Sequence, residues 1–422
     1  MAKGEEVENG SDRHSLLLEL PLGKASKTFN LETTVCSHGF FMMAPNHWDP
    51  ISKTLLRPLR LTLLHCSSSP SVMVRISHPS HSPHCLHLLV YHTAIGIASL
   101  SSENEQALLT QVSRMLRLSE SDERVSSEFR KVYDPTESSS SFVCGKVFRS
   151  PSLFEDMVKC ILLCNCQWPR TLSMAQALCD FQIELQPQSL SAMTADFIPT
   201  TPAKKESKKN LEQSEVSACL TAQFASEING SFEEEVVCKS DSHLLSDRIG
   251  NFPSPSELAN LDENFLAKRC KLGYRASRIL KLAQDIVKGR IQLGQLEGTS
   301  MERSLSNYDK LADQLKQIHG FGPFTCANVL MCMGFYHVIP VDSETIRHLK
   351  QVHAGKFTIK SVGEDVQKIY AKYAPYQFLA YWSEVWDFYG KWFGKLSEMP
   401  CSDYKLITAS NMRRKNKRKK TD

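Results

Sequence analysis

Apolar and polar residues alternate in several stretches of the first hundred positions. Leu59, Leu61 and Leu63 flank Arg60 and Thr62, and Val72, Val74 and Ile76 flank Met73 and Arg75. Leu86 to Tyr91 is a further β-type run. A period of two puts one face of each stretch against a core, which predicts strands, with strand-like patterning from Phe29 onward. The Pro, Ser and His residues between Ser77 and Cys85 are turn chemistry. The period then lengthens. Leu108, Val112, Met115 and Leu116 share one helical face, and a short second helix is predicted over 125–132. This delimits a β-rich first domain at 27–135, preceded by residues 1–26, which lack periodicity and are read as disordered.

Ser150-Pro151 begins the next helix, with an N-cap followed by Pro at the first helical position. Phe154, Val158, Ile161 and Leu162 form its buried face. The helix ends near Asn165 to Pro169, and another runs to Leu178. Residues 186–249 are rich in Ser, Thr, Glu and Lys and hold too little apolar surface to fold reliably, so they read as a disordered insertion. Helical patterning resumes at Ser254-Pro255 and continues to about Lys395. The fold class is α+β: an N-terminal antiparallel sheet domain, then an all-α core over 136–185 and 250–398, then a tail at 399–422.

The formal net charge is +4, but Cys401 to Asp422 holds eight Lys/Arg and two Asp/Glu, so the rest of the chain is slightly acidic. The run Arg413 to Lys420 reads as a nuclear localisation signal or a nucleic-acid arm, or as a solvated terminus. Met1 to Arg13 is polar and does not read as a secretory signal, and no apolar run has the length of a membrane span. The 14 cysteines are scattered without zinc-finger spacing and read as reduced thiols of a nuclear or cytosolic protein. His78, His81, His84 and His87 could form a metal cluster. Without a carboxylate at ligand spacing they read better as a His-rich hairpin loop.

The most informative block is Leu315 to Gly334. Leu315 and Ile318 close one helix, Gly320 and Gly322 bracket a tight turn, and Pro323 suits the first position of the next helix. Glycine at both ends admits positive φ and lets another surface approach. The free amides that begin the second helix form an anion site, for which a DNA phosphate is a natural occupant. Alone, the turn reads better as a plain helical hairpin. The extended segment Val338-Ile339-Pro340-Val341 then delivers Asp342 to a helix start. Asp342 reads as an N-cap, and the helix amides that position such a carboxylate and keep it ionised also suit a catalytic anion.

With Ile318-His-Gly-Phe-Gly322 followed by Pro340-Val-Asp342, the chain resembles the helix-hairpin-helix DNA glycosylases. Lys271-Leu-Gly-Tyr-Arg-Ala-Ser-Arg278 resembles a block of the 8-oxoguanine branch, and Tyr373-Ala-Pro-Tyr376 the motif before the last core helix. Phe29 to Glu32, Phe40-Phe41 and Trp48 resemble the N-terminal sheet domain of the alkylation and 8-oxoguanine branches. The match is collinear over most of 142–390, the insertion excepted, and is nearest to plant members.

The resemblance implies that Asp342 stabilises the cationic sugar that forms as an N-glycosidic bond breaks, after the base has left the stack. Gly320, Gly322, Pro323, Phe324 and Thr325 would then face DNA. Asn165 and Gln167 would fill the gap left by the flipped base, and Arg170 would contact the orphaned base. Tyr381, Trp382 and Trp386 would build the base pocket. The bland readings are helix-end polar residues for the first set and core packing for the second. Bifunctional relatives carry a lysine nucleophile where this chain has Phe324, and phenylalanine cannot form a Schiff base. The expected activity is therefore hydrolytic and monofunctional. On the last core helix the 8-oxoguanine branch uses a glutamine and a phenylalanine, where this chain has Tyr381 and Val385. That departure points to an alkylated or deaminated base instead.

The hairpin is expected to hold a monovalent cation through backbone carbonyls. No iron–sulfur cluster is expected, because only Cys401 follows Asp342. The expected partner is duplex DNA carrying a damaged base, bound by a monomer, with no membrane involved. Two rivals remain. One is a non-catalytic reader of DNA damage on the same fold. The other is a lyase using a distant lysine, but Lys350 lies about 12 Å along a helix from Asp342.

Overall fold

A computed structural model describes residues 15–62, 70–91, 100–133, 145–186, 249–298, 302–353 and 355–412. The stretches expected to form the insertion, at 187–248, and the basic run, at 413–422, lie outside the described residues, as do 1–14.

Five strands form one antiparallel sheet: β1 (Ser15–Pro21), β2 (His47–Asp49), β3 (Thr54–Arg60), β4 (Ser71–Ser77) and β5 (Cys85–Tyr91). Their order is β1-β5-β4-β3-β2. β4 and β5 bury alternate residues, as their period of two requires: Val72, Val74 and Ile76 pack beside Leu86, Leu88 and Val90. The expectation of disorder over 1–26 fails at β1. Leu18 and Leu20 are buried there, and Leu18 pairs with Leu88. The unbroken Leu16-Leu17-Leu18 hides the alternation. Strand patterning from Phe29 also fails: α1 (Leu31–Val35) is a helix whose cap, Asn30, accepts the Thr33 amide at 2.9 Å.

The helices that follow are α2 (Ser102–Leu116), α3 (Glu120–Val132), α4 (Leu153–Leu163), α5 (Trp168–Glu184), α6 (Pro255–Leu258), α7 (Glu263–Arg269), α8 (Arg275–Val287) and α9 (Leu293–Gly298). After these come α10 (Leu305–Lys316), α11 (Pro323–Cys332), α12 (Ser343–Val352), α13 (Val362–Tyr370) and α14 (Gln377–Phe393). Among the described residues no helix is long and apolar enough to cross a membrane.

The boundary expected near Pro135 does not separate two cores. One buried cluster runs from Leu18 to Ile407, and the described residues up to Leu185 and from Ile249 onward form a single compact unit. Buried charges join its parts. Arg57 on β3 pairs with Glu155 on α4 at 3.1 Å, and Lys159 meets the same carboxylate at 2.8 Å. Burial alone would raise the Glu155 pKa. The charges of Arg57 and Lys159 overcome that and lower it to about 2. The core also continues past 398. Tyr404, in a 3-10 turn at Cys401–Leu406, is buried, and its carbonyl accepts the Trp168 indole N–H at 3.1 Å.

Candidate catalytic and DNA-facing site

Helix α12 begins where it does because Asp342 caps it. Asp342 Oδ1 accepts the Thr345 amide at 2.9 Å and the Thr345 hydroxyl at 3.1 Å. The Asp342 amide donates back to Thr345 Oγ1 at 3.3 Å, completing a reciprocal capping box. Tyr381, on α14, donates its hydroxyl to the same Thr345 oxygen at 3.2 Å. Asp342 and Tyr381 are thus one residue apart through Thr345. Crowding by protein atoms raises the Asp342 pKa, and the Thr345 amide and hydroxyl oppose the rise without cancelling it. The helix amides expected to favour the ionised form therefore do not dominate. Asp342 nonetheless retains exposed surface, where water favours the charged form.

The hairpin joins α10 to α11. Gly320 has φ of +82°, and a Cβ there would come within 2.5 Å of Arg278 Cδ. Gly322 differs from the expectation of positive φ. Its φ is −97°, an ordinary value, and nothing lies within 4 Å of a Cβ built on it. What it supplies is an open approach to the start of α11, which it caps without any side-chain bond. Pro323 is exposed and Phe324 half-buried. Thr325 turns inward, its Oγ1 lying 3.1 Å from Cys164 Sγ, so it can offer a ligand only its backbone.

The α4–α5 turn carries Asn165, with φ of +46°, and both Asn165 and Gln167 are exposed. Arg275, at the start of α8 and 2% exposed, donates to the carbonyls of Cys164 and Asn165, the latter at 3.2 Å. Tyr274 donates its hydroxyl to the Cys164 carbonyl at 3.1 Å. The guanidinium of Arg278 stacks on the Tyr274 ring at 4.6 Å. Arg170 is exposed and lies over Gly273, where a Cβ would be 3.8 Å from its Nη2. The block from Gly273 to Arg278 thus ties the Asn165 turn to the hairpin at Gly320. Nothing in the spacing of that block marks Tyr274, Arg275 or Arg278 for this role. Thr345 is absent from the expected site, although its three-residue spacing from Asp342 is a capping-box signal.

The aromatic residues of α14 divide. Tyr381 is buried beside the Asp342 cap. The indole N–H groups of Trp382 and Trp386 donate to the carbonyls of Ser37 and Cys36, each at 2.8 Å. The two rings stack on each other at 5.3 Å, and Trp382 stacks on Phe378 at 5.8 Å. Both tryptophans therefore dock α14 onto the segment after α1. Trp386 is buried, and only Trp382 retains partial exposure. The His78–His87 turn gathers no three ligand atoms among the described residues. His78 instead meets the Pro83 carbonyl at 3.2 Å.

No sequence-family profile matches the chain. No curated protein matches it either. Solved structures do resemble it. MBOgg1 in complex with a low-affinity DNA ligand aligns with a TM-score of 0.51 and 16% identity, over 93% of this chain and 100% of that one. The 3-methyladenine DNA-glycosylase from Archaeoglobus fulgidus aligns with a TM-score of 0.50 and 13% identity, over 88% and 98%. The Clostridium acetobutylicum 8-oxoguanine glycosylase/lyase, with duplex DNA containing cytosine opposite 8-oxoG, has a TM-score of 0.48 and 14% identity, over 90% and 97%. Likeness at such identities conveys the fold alone, and the fold of this chain is that of the MBOgg1 and Archaeoglobus fulgidus structures.

Proposed function

We propose that this chain is a monofunctional DNA glycosylase that flips a damaged base from duplex DNA and hydrolyses its N-glycosidic bond. The observation that carries the reading is the Asp342 cap. A carboxylate fixed through Oδ1 by Thr345 and still open to solvent suits the stabilisation of a developing sugar cation or the orientation of water. The open N-terminus of α11 at Gly322 supports a phosphate seat. Exposed Asn165, Gln167 and Arg170 support a second contact zone on DNA. Phe324 supports hydrolysis without strand cleavage, because it offers no amine. The base would be read beside Tyr381 and Trp382.

A monovalent cation at the hairpin belongs to the same proposal. The Ile318 carbonyl already accepts the Phe321 amide at 3.0 Å but keeps a second lone pair for an ion. Nuclear localisation through Arg413 to Lys420 and a monomeric state also belong to it. The test is a panel of duplexes, each carrying one lesion, assayed for alkali-labile abasic sites. Release of at least one base supports the reading. Tight binding of lesion DNA without any release points instead to a non-catalytic damage reader.

A further inference from the structure

Three side chains from two elements converge away from the Asp342 cap. His348 lies in the last turns of α12, His353 caps that helix at its C-terminus, and Glu384 projects from α14. One ligand atom from each lies within 4.8 Å of the others. His348 Nε2 is 3.4 Å and His353 Nε2 2.9 Å from Glu384 Oε2. Tyr370, at the end of α13, adds a fourth atom. Its Oη is 2.6 Å from Glu384 Oε2 and 3.3 Å from His353 Nε2.

We propose that His348, His353 and Glu384 bind a divalent transition-metal ion of the zinc class, with the Tyr370 hydroxyl or a water in the fourth position. Zinc bonds of about 2.0–2.2 Å to nitrogen and oxygen make a tetrahedron whose edges are about 3.3–3.6 Å. The separations from Glu384 Oε2 to the two imidazoles, 3.4 and 2.9 Å, lie at or just below that edge, so an ion needs only modest side-chain movements. Two imidazoles and one carboxylate form a donor set that borderline ions such as zinc favour. Each imidazole must then present a bare Nε2, which requires its proton to sit on Nδ1. Among the described residues His348 Nδ1 has no hydrogen-bond partner, so a proton there would need a water or would cost about 1–3 kcal/mol that the metal bonds must outweigh. The His353 side chain is 27% exposed against 1% for His348, which gives an ion a route in from solvent. The ion would clamp the C-terminal end of α12 to α14, and α12 carries Asp342 at its other end. The site is thus structural, and it stands whether or not Asp342 is catalytic.

The test is titration of the reduced, chelator-treated full chain with cobalt(II), then with zinc. The expected result is one saturable equivalent giving visible bands of a four-coordinate nitrogen–oxygen site, without a thiolate charge-transfer band. His353→Gln, at the most exposed ligand, should weaken zinc affinity at least about 100-fold, since outer-shell partners alone cost about 10–100-fold. It should also abolish the zinc-induced rise in melting temperature seen in the parent. Absence of saturable binding, a thiolate band, or undiminished binding by His353→Gln overturns the proposal. If His353→Gln fails to fold, the cobalt spectrum of the parent decides alone.

Discussion

Thr345 holds Asp342 by one oxygen, its amide at 2.9 Å and its hydroxyl at 3.1 Å, while Tyr381 anchors the Thr345 hydroxyl in turn. Two substitutions separate the parts of this arrangement. Asp342→Asn keeps the shape and a capping oxygen but removes the charge. It should bind lesion DNA as the parent does and release base more slowly by about 10²–10³-fold, the scale of losing one transition-state electrostatic contact. Thr345→Val keeps the carboxylate but frees its orientation and strands the Tyr381 hydroxyl. It should lower the single-turnover rate by about tenfold with unchanged DNA affinity, for a loss near 1.4 kcal/mol. Base release by Asp342→Asn at the parent rate would remove Asp342 from the chemistry.

The two hairpin glycines should separate in the same manner. Gly320→Ala places a side chain in a left-handed conformation and against Arg278, so it should cost about 1–3 kcal/mol of stability. Gly322→Asp meets open space at an N-cap, where aspartate is a preferred residue. It should fold at least as well as the parent. Its carboxylate, however, occupies the seat proposed for a phosphate. Binding to lesion and plain duplex should weaken alike, and the salt dependence should flatten by about one phosphate contact. Thermal melts and salt titrations check both. A loss confined to lesion DNA would place the hairpin elsewhere on the duplex.

How much of this was legible in the sequence depends on whether the signal was local. The alternation of Val72, Val74 and Ile76, the Asp342 cap and the Gly320 turn are written in spacing, and the structure has β4, α12 and the hairpin there. β1 was hidden because Leu17, exposed, breaks the pattern of Leu16, Leu18 and Leu20. The anchoring of Trp382 and Trp386 could not be read, because their partners Ser37 and Cys36 lie some 350 positions earlier. The same holds for Arg275, whose acceptors Cys164 and Asn165 precede it across the insertion. An unpaired sequence shows a buried arginine only as a charge.

Acid should loosen the junction between sheet and helices. Glu155 has its pKa lowered to about 2 in the folded chain, against an ordinary 4.5. A lowered folded-state pKa contributes stability that is fully present above pH 4.5 and is lost as pH falls toward 2. The parent should therefore lose stability in that window, as measured by denaturant melts at each pH. Glu155→Gln should be less stable at neutral pH, since it leaves Arg57 and Lys159 without their counter-charge, and should show a shallower slope below pH 4.5. An equal slope in the variant would assign the acid sensitivity to other carboxylates.

Phe324 makes the proposed absence of lyase chemistry testable. Borohydride should trap no covalent adduct between the chain and DNA, and strand breaks should need added alkali or a separate endonuclease. Efficient trapping would require an amine from elsewhere. Among the lysines following Asp342, the nearest, Lys350, is exposed near the far end of α12.

The proposed choice of base rests on what stands on α14. The 8-oxoguanine branch, by the resemblance, reads its base with a glutamine and a phenylalanine at the positions of Tyr381 and Val385. Here Tyr381 is buried and its hydroxyl is engaged by Thr345, while Val385 is buried and apolar. Neither can replace the amide of glutamine as a reader of the base edge. A site that does not hydrogen-bond its substrate discriminates weakly, by about 10–200-fold for apolar differences. The indole N–H of Trp382 is likewise committed to Ser37, so its half-exposed face offers stacking rather than hydrogen bonding. The pocket proposed there offers no group on α14 for protonating or gripping the base. It suits a base that leaves readily, such as an alkylated purine carrying positive charge, whose face-on contact with an aromatic ring is favourable, or a deaminated one. Excision of 3-methyladenine or hypoxanthine should therefore exceed excision of 8-oxoguanine opposite cytosine under single-turnover conditions. Trp382→Ala should reduce release of the alkylated base more than Trp386→Ala does, once both are corrected for folded fraction. Robust removal of 8-oxoguanine, with 3-methyladenine and hypoxanthine untouched, would show that the base is read by residues other than those on α14.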